Sequence, residues 1–253
     1  MAVFRHMANW EHFLPLAQKV IRQTKERVVL GKEDAEKVLS WFEPHTQVIR
    51  KALVTGSGGL IGSECVRMLG ELDWEVVGLD NNMRQFFFGE AGSTLANTEI
   101  LKQSFPRFRH YNVNIRDRQT VRDIFKNERP DFIVHTAAQP SHDEAASIPY
   151  EDFDVNAVGT MNLLVASRDF CRDSPLGFTS TNKVYGDRPN RLPMVEEEKR
   201  YDYADSLEGI DESLSIDASL HSLFGPPRLP PTSCVKSLAD TSKCRLGFFG
   251  ADA

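Results

Sequence analysis

The sequence predicts an α/β domain built on a doubly wound parallel sheet. Two observations carry this reading. From residue 51 onward, short continuous apolar strands alternate with amphipathic helical stretches, and the first strand runs into the glycine-patterned turn TGSGGLIGS, which opens a helix. Strands that are apolar throughout, without polar alternation, are buried on both faces, so helices must cover both sides of the sheet.

Taken in order, residues 10 to 45 carry helical periodicity, with Phe13, Leu16 and Val20 in one run and Ala35, Val38, Leu39 and Phe42 in another. Gly31 separates the runs and Pro44 ends the second, so residues 1–47 read as a helical extension. The main domain is expected over 48–225. Its strands are KALVT (51–55), EVVGLD (75–80), FRHYNV (108–113), DFIVHTA (131–137) and LGFTST (176–181), and its helices fall at 60–70, 94–104, 118–128 and 152–171. Residues 186–221 are polar, rich in acids and without a strong period, which fits a loop-rich excursion or lid. Residues 226–253 form a separate tail.

Composition narrows the partners. The chain has 253 residues, 41% hydrophobic and 26% charged, with a formal net charge of −6 and no Lys/Arg cluster, which argues against a nucleic-acid partner. No apolar run approaches the roughly 18 residues that span a bilayer, and the start lacks the apolar core of a secretory signal, so no membrane partner and a cytoplasmic location are expected. Cys65, Cys171, Cys234 and Cys244 lack metal-type spacing and read as reduced thiols; no metal site is expected. The N-terminal helices would serve packing or a homodimer equally well.

The chemistry begins at the first turn. Gly56 permits the tight exit from the strand, Gly59 lets the backbone approach a pyrophosphate, and Gly62 allows close helix–strand packing, while the N–H groups opening the helix face the phosphates. The second strand ends in Asp80, 18 residues after Gly62, where a carboxylate can accept from adenosine ribose hydroxyls. An acid there repels a 2′-phosphate and favours NAD; Arg84, in DNNMR, keeps NADP open as the lesser option.

Four segments then resemble a known group: GSGGLIG at 56–62, HTAAQPSHD at 135–143, VNAVGTMNLL at 155–164 and STNKVYGD at 180–187 are similar to the extended short-chain dehydrogenases, the NAD-dependent epimerase/dehydratase family with its NAD(P)-binding Rossmann fold. LDNNMRQFFFG (79–89), TNKVYGDRPNRLP (181–193) and SLHSLFG (219–225) resemble its CDP-paratose 2-epimerase (CDP-tyvelose epimerase) branch. The resemblance covers about residues 48–225. It implies that Gly56, Gly59, Leu60, Ile61 and Gly62 hold the pyrophosphate of NAD, with Asp80 and Asn81 on the adenosine ribose. It puts Asn114 and Ile115 where an acid and its neighbour usually contact adenine; Asn114 departs from that pattern, although an amide oxygen can still accept from an amino group. Ala137, Ala138 and Gln139 would line the dinucleotide. Asn156 matches the Asn of an N-x-x-G-T motif whose role is structural as much as cofactor-directed. Thr181 matches the catalytic Ser/Thr that hydrogen-bonds the reacting sugar hydroxyl, and Ser141, His142 and Lys183 are substrate-side candidates. The implied substrate is a nucleotide sugar, by resemblance a CDP-linked deoxyhexose, and the implied reaction is transient oxidation and re-reduction at a sugar carbon. A dehydratase or reductase of the same group is the alternative, but those need acids after the strand-five Thr, where Asn182 and Lys183 stand. A non-catalytic dinucleotide-binding or scaffold protein is the third reading.

The family's base is a Tyr with a Lys four residues later. Aligned on SLHSLFG, the Tyr position is Phe224, and Arg228 stands four residues on within GPPRLPP, a run that cannot form a helix interior. Phenylalanine has no proton to exchange, and arginine is not a substitute for a proton-shuttling lysine. Read in a shifted frame, codons 225 to 246 can spell a segment beginning Ala-Ser-Lys-Val-Ala-Ala-Asp that resembles what the epimerase branch carries there. A slip of reading frame after Gly225 is therefore expected, with a truncated sheet, an exposed edge and doubtful activity; a transcript that encodes residues 220 to 235 in one uninterrupted frame would overturn it.

Overall fold

A computed structural model describes residues 50–204, Ile210, Leu214 and 246–250. The expected helices over 10–45 and the SLFGPPRLPP stretch lie outside the described residues. The chain enters at β1 (Lys51–Thr55), turns through the glycine segment into α1 (Leu60–Glu71), and returns in β2 (Glu75–Leu79). Then follow α2 (Met83–Phe88), α3 (Leu95–Ser104), β3 (Phe108–Tyr111), α4 (Arg118–Glu128) and β4 (Phe132–His135). Short helical turns lead to α5 (Pro149–Phe153), which continues through a π-helical turn (Asp154–Gly159) into α6 (Thr160–Phe170) and β5 (Leu176–Ser180). A small antiparallel hairpin, β6 (Met194–Glu196) with β7 (Tyr201–Tyr203), follows, and the last described strand is β8 (Leu246–Gly250).

The main sheet is parallel in the order β3-β2-β1-β4-β5-β8. Because the chain winds outward from β1 to β3 and then crosses to β4, the carboxyl ends of β1 and β4 diverge into the crevice where such sheets take ligands. Alternate residues of β1 feed two cores. Leu53 packs with Val77, Ile133, Phe125, Leu163 and Leu164 on one face, and Ala52 and Val54 pack with Val66, Leu69, Val76 and Leu101 on the other. This two-sided burial is why the strands read as unbroken apolar runs. Caps limit the helices: Asp117 Oδ1 accepts from Thr120 N at 3.1 Å to start α4, and Arg129, at φ +46°, ends it.

Three elements differ from the sequence expectation. Met83–Phe88 is a helix too short to show a period, and Met194–Glu196 pairs with Tyr201–Tyr203 inside the polar stretch expected to be loop. The third difference is at the edge of the sheet. The β5 edge, expected to be exposed, is paired in parallel by LGFFG, with Leu176 opposite Leu246 and Ser180 opposite Gly250. This pairing satisfies the N–H and C=O groups that an open edge of β5 would leave exposed. Among the described residues, no helix is long and apolar enough to cross a membrane, no group of His, Cys, Asp and Glu could hold a metal ion, and Cys65 and Cys171 are free thiols pushed up to about 12 and about 11 by desolvation.

One buried titratable group couples this fold to pH. His135, at the end of β4, is 1% exposed, and burial pushes its ring down to about 3 from the usual 6.5. Between those values the unfolded chain binds a proton that the folded chain does not. The contribution is therefore present above pH 6.5 and is lost as pH falls toward 3, by ~1 kcal/mol per pH unit. Denaturant unfolding measured from pH 7 to 4.5 is expected to show this slope, and His135→Asn to be shallower by about one proton's worth; equal slopes would contradict it.

Candidate active site: the carboxyl ends of β1, β2, β4 and β5

Thr55 closes β1 and Gly56 leaves it at φ +67°, in the left-handed region that side chains rarely adopt. A Cβ on Gly56 would lie 2.9 Å from Ala137 N, and one on Gly62 would lie 2.0 Å from Gly56 O. Both glycines are thus demanded by packing: the first by the segment leaving β4, the second by the start of α1 lying against the turn. Gly59 is different. A Cβ there would meet only Gly56 O, at 3.2 Å, so its outward side is open to an approaching ligand. Gly59 is also the N-cap of α1, with no side-chain cap and no acid in the first turn. The N–H groups of Leu60, Ile61 and Gly62 therefore begin a helix with no intrahelical partner, and the exposed side chains of Leu60 (79%) and Ile61 (40%) flank them. An uncapped helix start without negative charge suits an anion such as a pyrophosphate.

Asp80, one residue beyond β2, locks this turn in place. Its Oδ2 accepts from Gly58 N at 3.0 Å, and its Oδ1 accepts from Asn82 N at 2.8 Å and Thr94 Oγ at 3.0 Å. A carboxylate has about four acceptor sites, so capacity remains on Oδ2 for a ribose hydroxyl. Asn97 Nδ2 donates to Gly58 O at 2.9 Å and is itself held by Arg67 Nη2 at 2.7 Å. A Cβ on Gly58 would run into Thr98 Oγ at 2.7 Å and Thr94 Cβ at 2.8 Å. The sequence gives no sign that Thr94, Asn97 and Thr98 meet Gly58, because the first turn of a helix of ordinary polarity carries no local pattern that names its partner.

The other sequence candidates divide. Asn81 Oδ1 accepts from Met83 N at 3.2 Å beside Asp80. Arg84 lies on α2 with its guanidinium 4.6 Å over the Phe88 ring, held by an aromatic face. Asn114 Oδ1 accepts from Arg116 N at 3.0 Å and Nε at 3.2 Å, so its amide oxygen is already engaged. The Ile115 side chain is buried in the core, where Gly159 leaves room for it: a Cβ there would meet Ile115 Cδ1 at 2.6 Å. Ile115 therefore offers a ligand backbone and no side chain.

Along the segment after β4, Ala137 is half-buried beside Gly56 and Ala138 is exposed. Gln139, expected to line the dinucleotide, is instead fully buried. Its Nε2 donates to Asp152 Oδ1 at 3.1 Å and Ser141 O at 3.0 Å, and its Oε1 accepts from Ser141 N. Asn156, in the π turn, accepts from Gln139 N at 3.1 Å and donates to Asp152 Oδ1 at 2.8 Å, so it holds the segment from behind. Ser141 caps the next helical turn, accepting from Glu144 N at 3.2 Å; nothing is described of the His142 side chain. Thr181 stands one residue beyond the carboxyl end of β5, its Oγ accepts from Lys183 N at 3.3 Å, and Lys183 itself is exposed. Thr179, two residues earlier, is spent on His135 O at 3.1 Å.

Adjacent glycines separate packing from ligand approach. Gly59→Ala is expected to cost at most about 1 kcal/mol of stability, since alanine is a poorer N-cap and its Cβ meets only Gly56 O, while weakening NAD binding at least about tenfold because it fills the ligand side. Gly58→Ala is expected to cost roughly 1–3 kcal/mol of stability, because Thr94 and Thr98 must move. Isothermal titration and denaturant unfolding of both variants check this; equal effects on stability would contradict it.

The chain matches the profile described as "NAD dependent epimerase/dehydratase family" over residues 52–206. It is 32% identical over 190 residues to the CDP-paratose 2-epimerase of Salmonella typhi, covering 75% of this chain and 51% of that protein. It is 34% identical over 148 residues to a dTDP-glucose 4,6-dehydratase of Neisseria meningitidis, covering 55% of this chain and 39% of that protein. Among solved structures, the UDP-Glc/GlcNAc 4-epimerase of Campylobacter jejuni superposes with a TM-score of 0.61 at 22% identity over 79% of this chain and 52% of that one. The Thermus thermophilus UDP-glucose 4-epimerase in complex with NAD gives 0.59 at 25% identity over 79% and 54%. The chain thus spans about half the length, or less, of the relatives it matches. With the glycine turn, Asp80 and the N-x-x-G-T helix all inside the matched region, the chain belongs to the NAD-dependent epimerase/dehydratase family.

Proposed function

We propose that this chain is an NAD-dependent nucleotide-sugar epimerase by descent, of the CDP-paratose 2-epimerase type. The observation that supports the reading is Thr181, one residue beyond the carboxyl end of β5 and followed by Asn182 and Lys183, where a dehydratase of the group needs acids. The open Gly59, the uncapped start of α1 and the acceptor left on Asp80 fit NAD. When bound, NAD supplies a reversible acceptor for a hydride from the sugar carbon. The chain's own part is to hold the sugar. Thr181 hydrogen-bonds the hydroxyl on the reacting carbon and keeps its oxygen aligned while the proton leaves that oxygen, the hydride lost from the carbon returns to the opposite face of the resulting ketone, and the proton returns to the oxygen. A threonine hydroxyl is too weak a base to remove that proton itself, so another group must do it.

A second reading has its own support. Phe224 and Arg228, outside the described residues, stand where the family's Tyr and Lys are expected. On that ground we propose that this chain binds NAD with little or no turnover. Inversion at the sugar C2 of a CDP-linked deoxyhexose carrying deuterium at C2 separates the readings. Epimer formation that keeps the C2 deuterium, as transfer to NAD and back requires, and that falls by about 10² or more in Thr181→Val with NAD binding kept, supports the epimerase. NAD binding without epimer formation supports the non-catalytic reading. Loss of water from a nucleotide-linked hexose that carries a 6-hydroxyl, to a 4-keto-6-deoxy product, would contradict both.

A further inference from the structure

The imidazole of His135 bridges two hydroxyls, Nδ1 lying 2.7 Å from Thr55 Oγ and Nε2 lying 2.9 Å from Thr160 Oγ. The direction of each bond follows from its neighbours. Thr160 Oγ donates to Asn156 O at 2.6 Å, so its only proton is spent and its oxygen accepts from Nε2–H. A neutral ring protonated on Nε2 has a bare Nδ1, which accepts the Thr55 proton. With its proton turned to the ring, the Thr55 oxygen presents both lone pairs to Thr136 N and Ala137 N, each at 3.2 Å. Every donor and acceptor in this chain of bonds is then matched, in a place closed to water. Those two N–H groups open the segment that runs against the glycine turn, where a Cβ on Gly56 would come within 2.9 Å of Ala137 N.

We propose that His135 is a positioning residue for the dinucleotide site: its Nε2-protonated tautomer orients the Thr55 hydroxyl and so sets the path of Thr136 and Ala137 against the glycine turn. The effect on cofactor affinity rests on the NAD reading, whereas the tautomer and the backbone path do not. Without an acceptor at Nδ1, the Thr55 proton must compete for the space its oxygen gives to the two N–H groups. Thr136 N keeps a second acceptor in Thr55 O at 3.3 Å, so it is Ala137 N that loses its partner, and the segment shifts, taking with it the wall beside Gly56.

Two shorter side chains split the ring's functions. Asparagine reaches as far as Nδ1 and can accept from Thr55; glutamine reaches Nε2 and can serve Thr160. Each removes the ring and leaves a void, so a role in packing alone would treat them alike. His135→Asn is expected to hold the Kd for NAD within about threefold of wild type, and His135→Gln and Thr55→Val to raise it about tenfold or more. The double variant His135→Gln/Thr55→Val should be no worse than either single one, since both break one bond. Long-range 1H–15N spectra of the free protein, with the His135 signal identified by its loss in His135→Asn, should show the neutral Nε2–H form at pH 6. An Nδ1–H ring, equal losses of affinity in the Asn and Gln variants, or no loss in any variant would overturn the proposal. Should the wild type bind no NAD, the cofactor reading fails, while the tautomer still decides, together with Ala137 amide protection kept in the Asn variant and lost in the Gln variant.

Discussion

The carboxylate of Asp80 is the point on which the ligand end of this sheet depends. It joins the end of β2 to the glycine turn through Gly58 N, to its own loop through Asn82 N, and to the start of α3 through the Thr94 hydroxyl. An anion here does two jobs at once. It fixes a turn whose glycines leave it little intrinsic stiffness, and it keeps an acceptor facing the crevice. The turn itself has no slack elsewhere, because Gly56 and Gly62 approach other backbone too closely to admit a Cβ. Rigidity of this kind lets an uncapped helix start act as an anion site without collapsing on its own side chains.

A second fixed point lies across the crevice. His135 ties β1 to β4 and to the helix after the π turn, and Asn156 and Gln139 hold the next stretch from behind through Asp152. Far from the ligand end, Glu128 gathers Lys51 at 3.0 Å, Arg109 at 2.7 Å and the Tyr111 hydroxyl at 2.6 Å around the first residues of the sheet. That cluster holds strand ends together and contributes no group to the crevice.

Much of this was legible in the sequence. The five central strands and the helices at 60–71 and 118–128 follow from apolar periodicity, and the glycine turn with Asp80 follows from spacing along a single βαβ unit. What escaped was non-local. Gln139 stands in a run that resembles cofactor-lining residues, yet its amide is drawn inward by Asp152, 13 positions away in sequence. Asn114 reads as a free acceptor in the sequence, but Arg116 N and Nε both donate to its oxygen. His135 was visible in HTAAQPSHD, but nothing local says that its ring spans from Thr55 to Thr160. LGFFG at 246–250 gives too short a pattern to be told from the tail around it; only the unpaired edge of β5 explains its place.

We propose that the Asp80 carboxylate and the glycine turn form a site shaped for an unphosphorylated adenosine ribose. Titration of the protein with NAD and NADP in parallel is the test. The Asp80 carboxylate holds the glycine turn through Gly58 N and would repel a 2′-phosphate on a ribose bound beside it, and Arg84 is stacked on Phe88. NAD is therefore expected to bind at least about tenfold tighter than NADP, with the preference lost in Asp80→Asn. Equal affinity for the two, or tighter binding of NADP by the unaltered protein, would contradict it.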